Sequence, residues 1–221
     1  FSMKNITIAS LISIFVFGFL AISCGKDKPF IGESAETVAA KGGTIFEVDT
    51  LNSRIEWKGY KIFKSDNFSH FGTIKFESGD VSVQNGEIVG GKFVADMGTL
   101  ENVDLKGDLE QKAKLESHLK SADFFAVEKF PTASYEITKV THNESGDYNT
   151  TLEGNLTIKG ISKPTKFNAN VSVKDGEVSI ATEPTDVKRE DFSVRFQLPV
   201  ANGVIKDEVN LQILIKALEK K

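Results

Sequence analysis

The side chains that could carry out chemistry are few and scattered. His70, His118 and His142 are the three histidines of this 221-residue chain, and they fall on different predicted elements without a paired spacing. A zinc site requires three or four converging ligands, so this spacing predicts no metal site. The chain has no Gly-x-Ser-x-Gly motif, and its only cysteine, Cys24, belongs to another kind of motif. These residue types predict a protein that is not an enzyme.

Cys24 ends an apolar segment at the start of the chain. Lys4 precedes a charge-free run over residues 6–23, which has the positive and apolar regions of a secretory signal. The sequence Ala-Ile-Ser-Cys at 21–24 resembles the bacterial lipobox, in which the cysteine is acylated after cleavage. We therefore expect a signal peptide over residues 1–23 and lipidation at Cys24. The alternative is an uncleaved anchor, because the run is close to the shortest length that spans a bilayer.

Export and acylation would hold the protein at the bacterial cell envelope, on the periplasmic or outer-membrane face, with the membrane as a partner. Residues 24–43 are small, polar and charged, and we expect a flexible tether there. The chain has a net charge of −4 and no basic patch, so nucleic-acid binding lacks its electrostatic footprint. A single cysteine cannot form an internal disulfide, so the domain over 44–221 must be stabilised by its core.

Strand patterns separated by turn residues fill most of the sequence from Thr44 onwards. Asn85-Gly86 and Asp175-Gly176 are hairpin signals, whereas Ser78-Gly79-Asp80 is expected to end a strand. The predicted fold class is all-β: an antiparallel barrel of about eight strands with a short helix over one end. Inward faces are predicted for Ile55, Trp57, Ile74, Phe76, Val89, Phe93, Ala95, Met97, Tyr135, Ile137, Leu152, Leu156, Ile158, Phe167, Ala169, Val171, Val173, Phe192, Val194, Phe196, Leu198, Val209, Leu211, Ile213 and Ile215.

One segment, from Asp108 to Ser121, has a convincing helical pattern. Asp108 and Gln111 form a capping-box pair. Lys112 and Glu116 fall within the apolar arc of the helix, which argues against a single well-buried helix. We expect either two short turns or one helix that lies loosely across an end of the barrel.

The stretch from His118 to Ile137 joins this helix to the next strand. Pro131 disfavours helix at the residue before it, and the adjacent rings of Phe124 and Phe125 are too apolar for a solvated loop. Composition favours a loop packed over a core, and the alternative is the lip of a ligand cavity.

The charged run 188–191 is typical of a solvated strand end, although Arg189 could cap a barrel mouth or bind an anionic head group.

Two motifs resemble those of the YceI-like family. They are HLKSADFF at 118–125 with KFPTA at 129–133, and GNLTIKGISKP at 154–164. Further agreement lies around Trp57, Phe192 and Val209, and the resemblance runs from about Thr44 to Leu218. It implies a lipocalin-like barrel whose interior holds a polyisoprenoid or a similar long apolar molecule, such as an isoprenoid quinone, and it makes a homodimer plausible. No other cofactor is expected.

With this resemblance, Phe124 and Phe125 are expected to border a cavity. The expected function is non-catalytic binding or shielding of the apolar ligand. The alternative is a structural barrel that its own side chains fill and that docks an envelope partner. The residues expected to bind the ligand are Trp57, Ile74, Phe76, Phe93, Phe124, Phe125, Tyr135, Leu156, Phe167, Phe192 and Phe196.

Overall fold

Antiparallel strands close into a ring in the computed structural model, which describes residues 42–220. The elements are β1 (Thr44–Val48), β2 (Arg54–Phe63), β3 (Asp66–Gln84), β4 (Glu87–Asn102), α1 (Leu109–Lys120), β5 (Thr132–His142), β6 (Thr150–Ile158), β7 (Ile161–Lys174), β8 (Glu177–Thr182), β9 (Thr185–Lys188), a 3₁₀ helix (Arg189–Phe192) and β10 (Gly203–Glu219). Strands β2 to β8 follow one another around the ring, and β10 pairs with both β2 and β8 to close it. The predicted antiparallel barrel is confirmed, with the short strands β1 and β9 added to the ring.

The two predicted hairpin turns are present. Asn85 and Gly86 both have positive φ, of 54° and 81°, as a type I′ turn requires. The expected strand end at Ser78-Gly79-Asp80 is wrong, because β3 continues to Gln84. A register shift lies just before, between Phe76 and Ser78, and Gly79 is paired with Phe93 within the ladder. A further shift, between Ser82 and Val83, buries Ile88 in place of Val89.

Helix α1 is a single continuous helix capped by Asp108, whose carboxylate accepts a 3.0 Å hydrogen bond from the backbone N–H of Gln111. None of its residues is fully buried, which agrees with a helix lying loosely across a barrel end. Lys112 forms ion pairs with Glu101 of β4, at 2.7 Å, and with Glu116. Polar contacts therefore hold one side of α1 to the barrel.

The chain after β9 departs from the predicted strand. A 3₁₀ helix and an irregular segment replace it, with Ser193 in the left-handed region at φ 57°. The cause is Arg189, which is buried and donates hydrogen bonds to the carbonyls of Val194, Ile205 and Lys206. A solvated strand end is therefore the wrong description of Arg189.

One end of the barrel is filled by side chains, and we call it the filled end. Phe93 of β4 lies beside Phe76 of β3, with ring centroids 6.3 Å apart, and Tyr135 meets Phe167 edge to face at 5.2 Å. The Tyr135 hydroxyl donates a hydrogen bond to the Leu152 carbonyl at 3.0 Å. Gly154 makes room for this ring, because a Cβ there would lie 2.7 Å from it. The buried cluster also includes Phe46, Val81, Val83, Ile88, Ile137, Ala169, Val178, Ile180, Ile213, Ile215 and Ala217.

Candidate ligand-binding site

The opposite end of the barrel, which we call the hollow end, contains a cavity of about 330 Å³. Its wall is almost entirely apolar. Trp57, Ile74 and Met97 lie on the barrel strands, and Leu119 of α1 packs against the same cluster. The cavity is further lined by Ile55, Ala95, Leu100, Leu115, Phe124, Phe125, Ala133, Leu156, Ile158, Val187, Phe192, Val194, Phe196, Leu198, Ile205, Val209 and Leu211.

The cavity begins where aromatic side chains give way to alanine on the same two strands. Phe93 and Tyr135 are directly paired across β4 and β5, and two residues further along Ala95 is paired with Ala133. Both pairs point into the barrel, because side chains two apart on a strand share a face. The first pair belongs to the filled end, and the second lines the cavity. A change of side-chain size therefore creates the space.

Trp57 forms part of the cavity wall and has a buried polar atom without a partner. The residue is 9% exposed, and no described atom forms a hydrogen bond with its Nε1. Gly72 allows the close approach of β3, because a Cβ there would lie 2.8 Å from the indole ring and 1.8 Å from the Glu101 carbonyl oxygen. Burial of a hydrogen-bond donor without an acceptor lowers the stability of the folded protein. A binding site tolerates this cost more readily than a core does.

An aromatic cover closes the cavity on the side of α1. The His118 ring meets Phe124 and Phe196 edge to face, with centroids 5.0 Å and 4.6 Å away. Phe124 also lies 5.2 Å from Phe196. The cover therefore joins the end of α1, the loop after it and the irregular segment before β10. The three rings of the cover also line the cavity.

Lys159 connects two segments of this cover through hydrogen bonds. Its ammonium donates hydrogen bonds to the carbonyl oxygens of Phe124, at 2.8 Å, and Ser193, at 3.1 Å. Burial lowers the pKa of Lys159, and the nearby charge of Lys129 lowers it further. One cation in the β6–β7 turn thus holds the loop after α1 against the segment before β10.

The charged side chains in the cavity wall differ in whether they have polar partners. The guanidinium of Arg189 is consumed by three backbone carbonyls, and burial lowers its pKa against the opposing charges of Glu190 and Asp207. Lys61 and Lys206 line the cavity near the β2–β3 hairpin and form no ion pair within residues 42–220. The free cations of the wall therefore lie towards that hairpin.

His70 is another titratable residue that lines the cavity near the hairpin. Its Nδ1 lies 2.8 Å from a carboxylate oxygen of Asp104, which also accepts hydrogen bonds from the Phe71 backbone and the Asn102 amide. Burial tends to raise the pKa of Asp104, but these hydrogen bonds outweigh it and hold that pKa below its usual value. This pair fixes the base of the hairpin to the end of β4.

Seven of the residues expected to bind the ligand line the cavity, and four lie elsewhere. The lining residues are Trp57, Ile74, Phe124, Phe125, Leu156, Phe192 and Phe196. The structure places Phe76, Phe93, Tyr135 and Phe167 in the filled end, where they are buried against other side chains. They face inward as the alternation indicates, but at a level of the barrel where side chains from opposite strands meet.

Several lining residues were not among those expected to bind the ligand. Met97, Val194 and Leu211 follow the same alternation as the expected residues, so their spacing carried the signal. Leu100 follows Met97 by three residues and breaks the alternation. The sequence allowed Arg189 at a barrel mouth but did not indicate its burial, because that burial depends on carbonyls of the later strand β10.

Two further kinds of feature, a metal-ligand cluster and a helix able to span a membrane, are absent from the described residues. No three His, Cys, Asp or Glu side chains between residues 42 and 220 converge as metal ligands. In the same part of the chain, no helix is long and apolar enough to cross a membrane. Cys24 and the expected signal peptide and tether lie outside the described residues, apart from Gly42 and Gly43.

Comparison with known sequences points to one family. The sequence model of the YceI-like domain matches residues 46–217. A UPF0312 protein of Pseudomonas putida is 26% identical over 179 residues, which cover 76% of this chain and 86% of the relative. A UPF0312 protein of Shewanella baltica is 29% identical over 114 residues, 49% of this chain and 56% of the relative. The chain therefore spans about half the length of the Shewanella relatives it matches.

Solved structures share the fold at low identity. Burkholderia cenocepacia BcnA has a TM-score of 0.60 and 18% identity, over 77% of this chain and 99% of that chain. A polyisoprenoid binding domain from Saccharophagus degradans, implicated in plant cell wall breakdown, has a TM-score of 0.52 and 10% identity, over 79% of this chain and 98% of that chain. At these identities the likeness establishes the lipocalin-like barrel alone.

Proposed function

The chain belongs to the YceI-like family, and from that premise we propose that its hollow end binds an isoprenoid chain without catalysis. The observation that carries the proposal is the apolar cavity between the Ala95–Ala133 pair and the cover formed by His118, Phe124 and Phe196. Burial of apolar ligand surface contributes about 0.8 kcal/mol per CH₂, so such a wall needs few polar contacts.

The size of the cavity limits how much of a ligand it encloses. A group of the size of water takes up about 30 Å³, so the 330 Å³ cavity holds about eleven carbon-sized groups. That corresponds to about two five-carbon isoprene units. We therefore propose that the end of the chain lies in the cavity and that a longer ligand extends past the β2–β3 hairpin.

The test is to extract ligand from protein purified from its own host. Native mass spectrometry and analysis of an organic extract should detect a stoichiometric lipid built of isoprene units. The double variant Ala95→Phe/Ala133→Phe extends the aromatic pairing of the filled end into the cavity, and it should carry no lipid. Ile213→Val, in the filled end, is the matched control and should retain it. Wild-type protein without any co-purifying lipid would contradict the proposal.

We also propose that the protein is anchored to the cell envelope through acyl chains on Cys24. The support is the lipobox-like sequence at 21–24 after an apolar run. Two or more acyl chains give stable attachment, so Cys24→Ala should move the protein from the membrane fraction to the soluble fraction without unfolding it. Continued membrane attachment of Cys24→Ala would instead favour the uncleaved anchor.

A further inference from the structure

The β2–β3 hairpin extends beyond the wall of the barrel at the hollow end. Its strands pair as far as Phe63 and Asp66, whereas the pairing of β3 with β4 stops at Gly72 and Asn102. Residues 66–71 therefore pair with β2 alone on this side. The start of β10 continues the sheet, with Gly203 paired to Phe63. We call residues 58–71 and 195–206 the hairpin tip.

Apolar side chains are exposed on the hairpin tip. Phe68 is 45% exposed, and Phe71, Val200 and Val204 are also exposed. Water contact with large apolar side chains in one small region is unfavourable, and such regions mark sites that bind a partner or a membrane. The cavity lining reaches the same region at Lys61. The hairpin tip is therefore adjacent to the binding site.

Positive charge surrounds these side chains. The sequence alone indicated no basic patch, but the fold brings five basic residues together in the hairpin tip, Lys58, Lys61, Lys64, Arg195 and Lys206. The tip has a single carboxylate, Asp66, on a chain with a net charge of −4. No ion pair neutralises the four lysines within the described residues. They lie over aromatic rings instead, such as Lys61 over Phe68 at 5.4 Å and Lys206 over Tyr60 at 5.5 Å.

The other end of the barrel has comparable apolar exposure but not this charge. Leu218 is 45% exposed and Ile45 is 38% exposed, and the lysines near them form ion pairs, Lys216 with Glu177 and Lys220 with Glu47. Lys216 and Lys220 are therefore neutralised by carboxylates, whereas within residues 42–220 the four lysines of the hairpin tip are not.

We propose that the hairpin tip docks on an anionic phospholipid surface and places the cavity of the hollow end next to the bilayer. Exposed Phe side chains among unpaired lysines are the combination that binds the interface of an anionic membrane. A protein partner is disfavoured because lysine is depleted at protein–protein interfaces. The inference does not depend on the proposed ligand, because docking is measured without it.

The test uses the full chain attached to vesicles and compares two equally exposed positions. A photoreactive p-benzoylphenylalanine replaces Phe68 in one protein and Leu218 in the other. Vesicles contain either phosphatidylglycerol with phosphatidylcholine or phosphatidylcholine alone. On the anionic vesicles, lipid cross-linking should be several-fold higher from position 68 than from position 218, and the difference should disappear on the neutral vesicles. Any contribution of the N-terminal segment is common to both proteins.

Loss of charge gives the second comparison. Lys58→Gln/Lys64→Gln should lower the docked-to-undocked ratio about 25-fold, at about fivefold for each lysine near an anionic surface. Lys166→Gln/Lys174→Gln on β7 removes the same charge elsewhere and should leave cross-linking at position 68 unchanged. Equal lipid cross-linking from positions 68 and 218 overturns the proposal. Equal losses of cross-linking at position 68 in the two double variants also overturn it. Cross-linking of position 68 to a second copy of the chain, in place of lipid, also overturns it.

Discussion

The two ends of the barrel are built on the same strands but are held together by different interactions. At the filled end, Phe93 and Tyr135 occupy paired positions on β4 and β5 and meet other buried rings. At the hollow end, the paired positions hold Ala95 and Ala133, and space remains between the walls. One step along a strand pair therefore separates a core from a cavity, with no change in backbone pairing.

Polar contacts take over where side-chain packing stops. Lys159 fastens the cover, Arg189 binds three carbonyls, and Asp104 holds the base of the hairpin. Burial of apolar area stabilises the filled end. At the hollow end, directional hydrogen bonds position the loop after α1 and the segment before β10 around the cavity. The filled end should therefore set global stability, and the hollow end should open locally.

The largest difference is expected from deleting one ring at each end. Phe167 is completely buried, so Phe167→Ala should lower the free energy of unfolding by about 3–5 kcal/mol. Phe125 is half-buried in the cover, and Phe125→Ala should cost about 1 kcal/mol because it removes less buried area. Urea unfolding of both variants measures the two costs. Equal losses would show that the two ends are packed alike.

Removal of the Lys159 ammonium should destabilise the cover and no other part of the barrel. Lys159→Met loses two hydrogen bonds to backbone carbonyls and should cost about 2 kcal/mol. Hydrogen exchange should speed up at the backbone amides of Phe125 and Ala126 and stay unchanged in β7 and β8. Lys139→Met, which breaks an exposed ion pair with Glu153, is the control and should change neither region. Faster exchange throughout the barrel would contradict a local role.

The Asp104 contacts predict a pH dependence of the hairpin base. Because the folded-state pKa of Asp104 is lowered, its contribution is fully present above the unfolded value of about 3.9. It is lost as the pH falls through the lower, folded pKa. Asp104→Asn should cost about 1–2 kcal/mol at pH 7, and the difference from wild type should shrink below about pH 4. A difference that stays constant down to pH 2 would exclude this account.

A smaller effect is expected from the hydroxyl of Tyr135 inside the filled end. Tyr135→Phe removes a hydrogen bond to the Leu152 carbonyl but keeps the ring, so it should cost about 1 kcal/mol. Burial raises the pKa of the Tyr135 phenol, with a smaller effect from the charge of Glu153, so the folded protein should not ionise this group below pH 10. Ultraviolet titration of the wild type and the variant measures both effects. Ionisation of Tyr135 near pH 10 in the folded protein would contradict its burial.

The sequence predicted the barrel more completely than the cavity. Asn85-Gly86 can adopt positive φ at both positions, so its turn is a local property, and the alternation of Phe93, Ala95 and Met97 is also local. Alternation assigns Phe93 and Ala95 to the same inward face, however. Which of them borders a space depends on the residues that other strands bring to that level, which only the register fixes.

The segment around Arg189 shows the same limit. Its spacing matched a strand, and Phe192, Val194, Phe196 and Leu198 do line the cavity as that spacing indicated. The backbone is nevertheless irregular, because Arg189 binds carbonyls of β10 that are distant in sequence. A single residue pattern predicted the inward side chains but not the backbone that presents them.

The most direct test of the account is a fluorescence titration of Trp57, the only tryptophan of the chain, which lies in the wall of the cavity. Farnesol, a short isoprenoid alcohol, is the probe. We predict a saturable change in tryptophan emission in the wild type and in Ile213→Val, and none in Ala95→Phe/Ala133→Phe, with urea unfolding used to verify that each variant is folded. An unchanged wild-type emission, or the same saturable change in the folded double variant, would contradict binding at the hollow end.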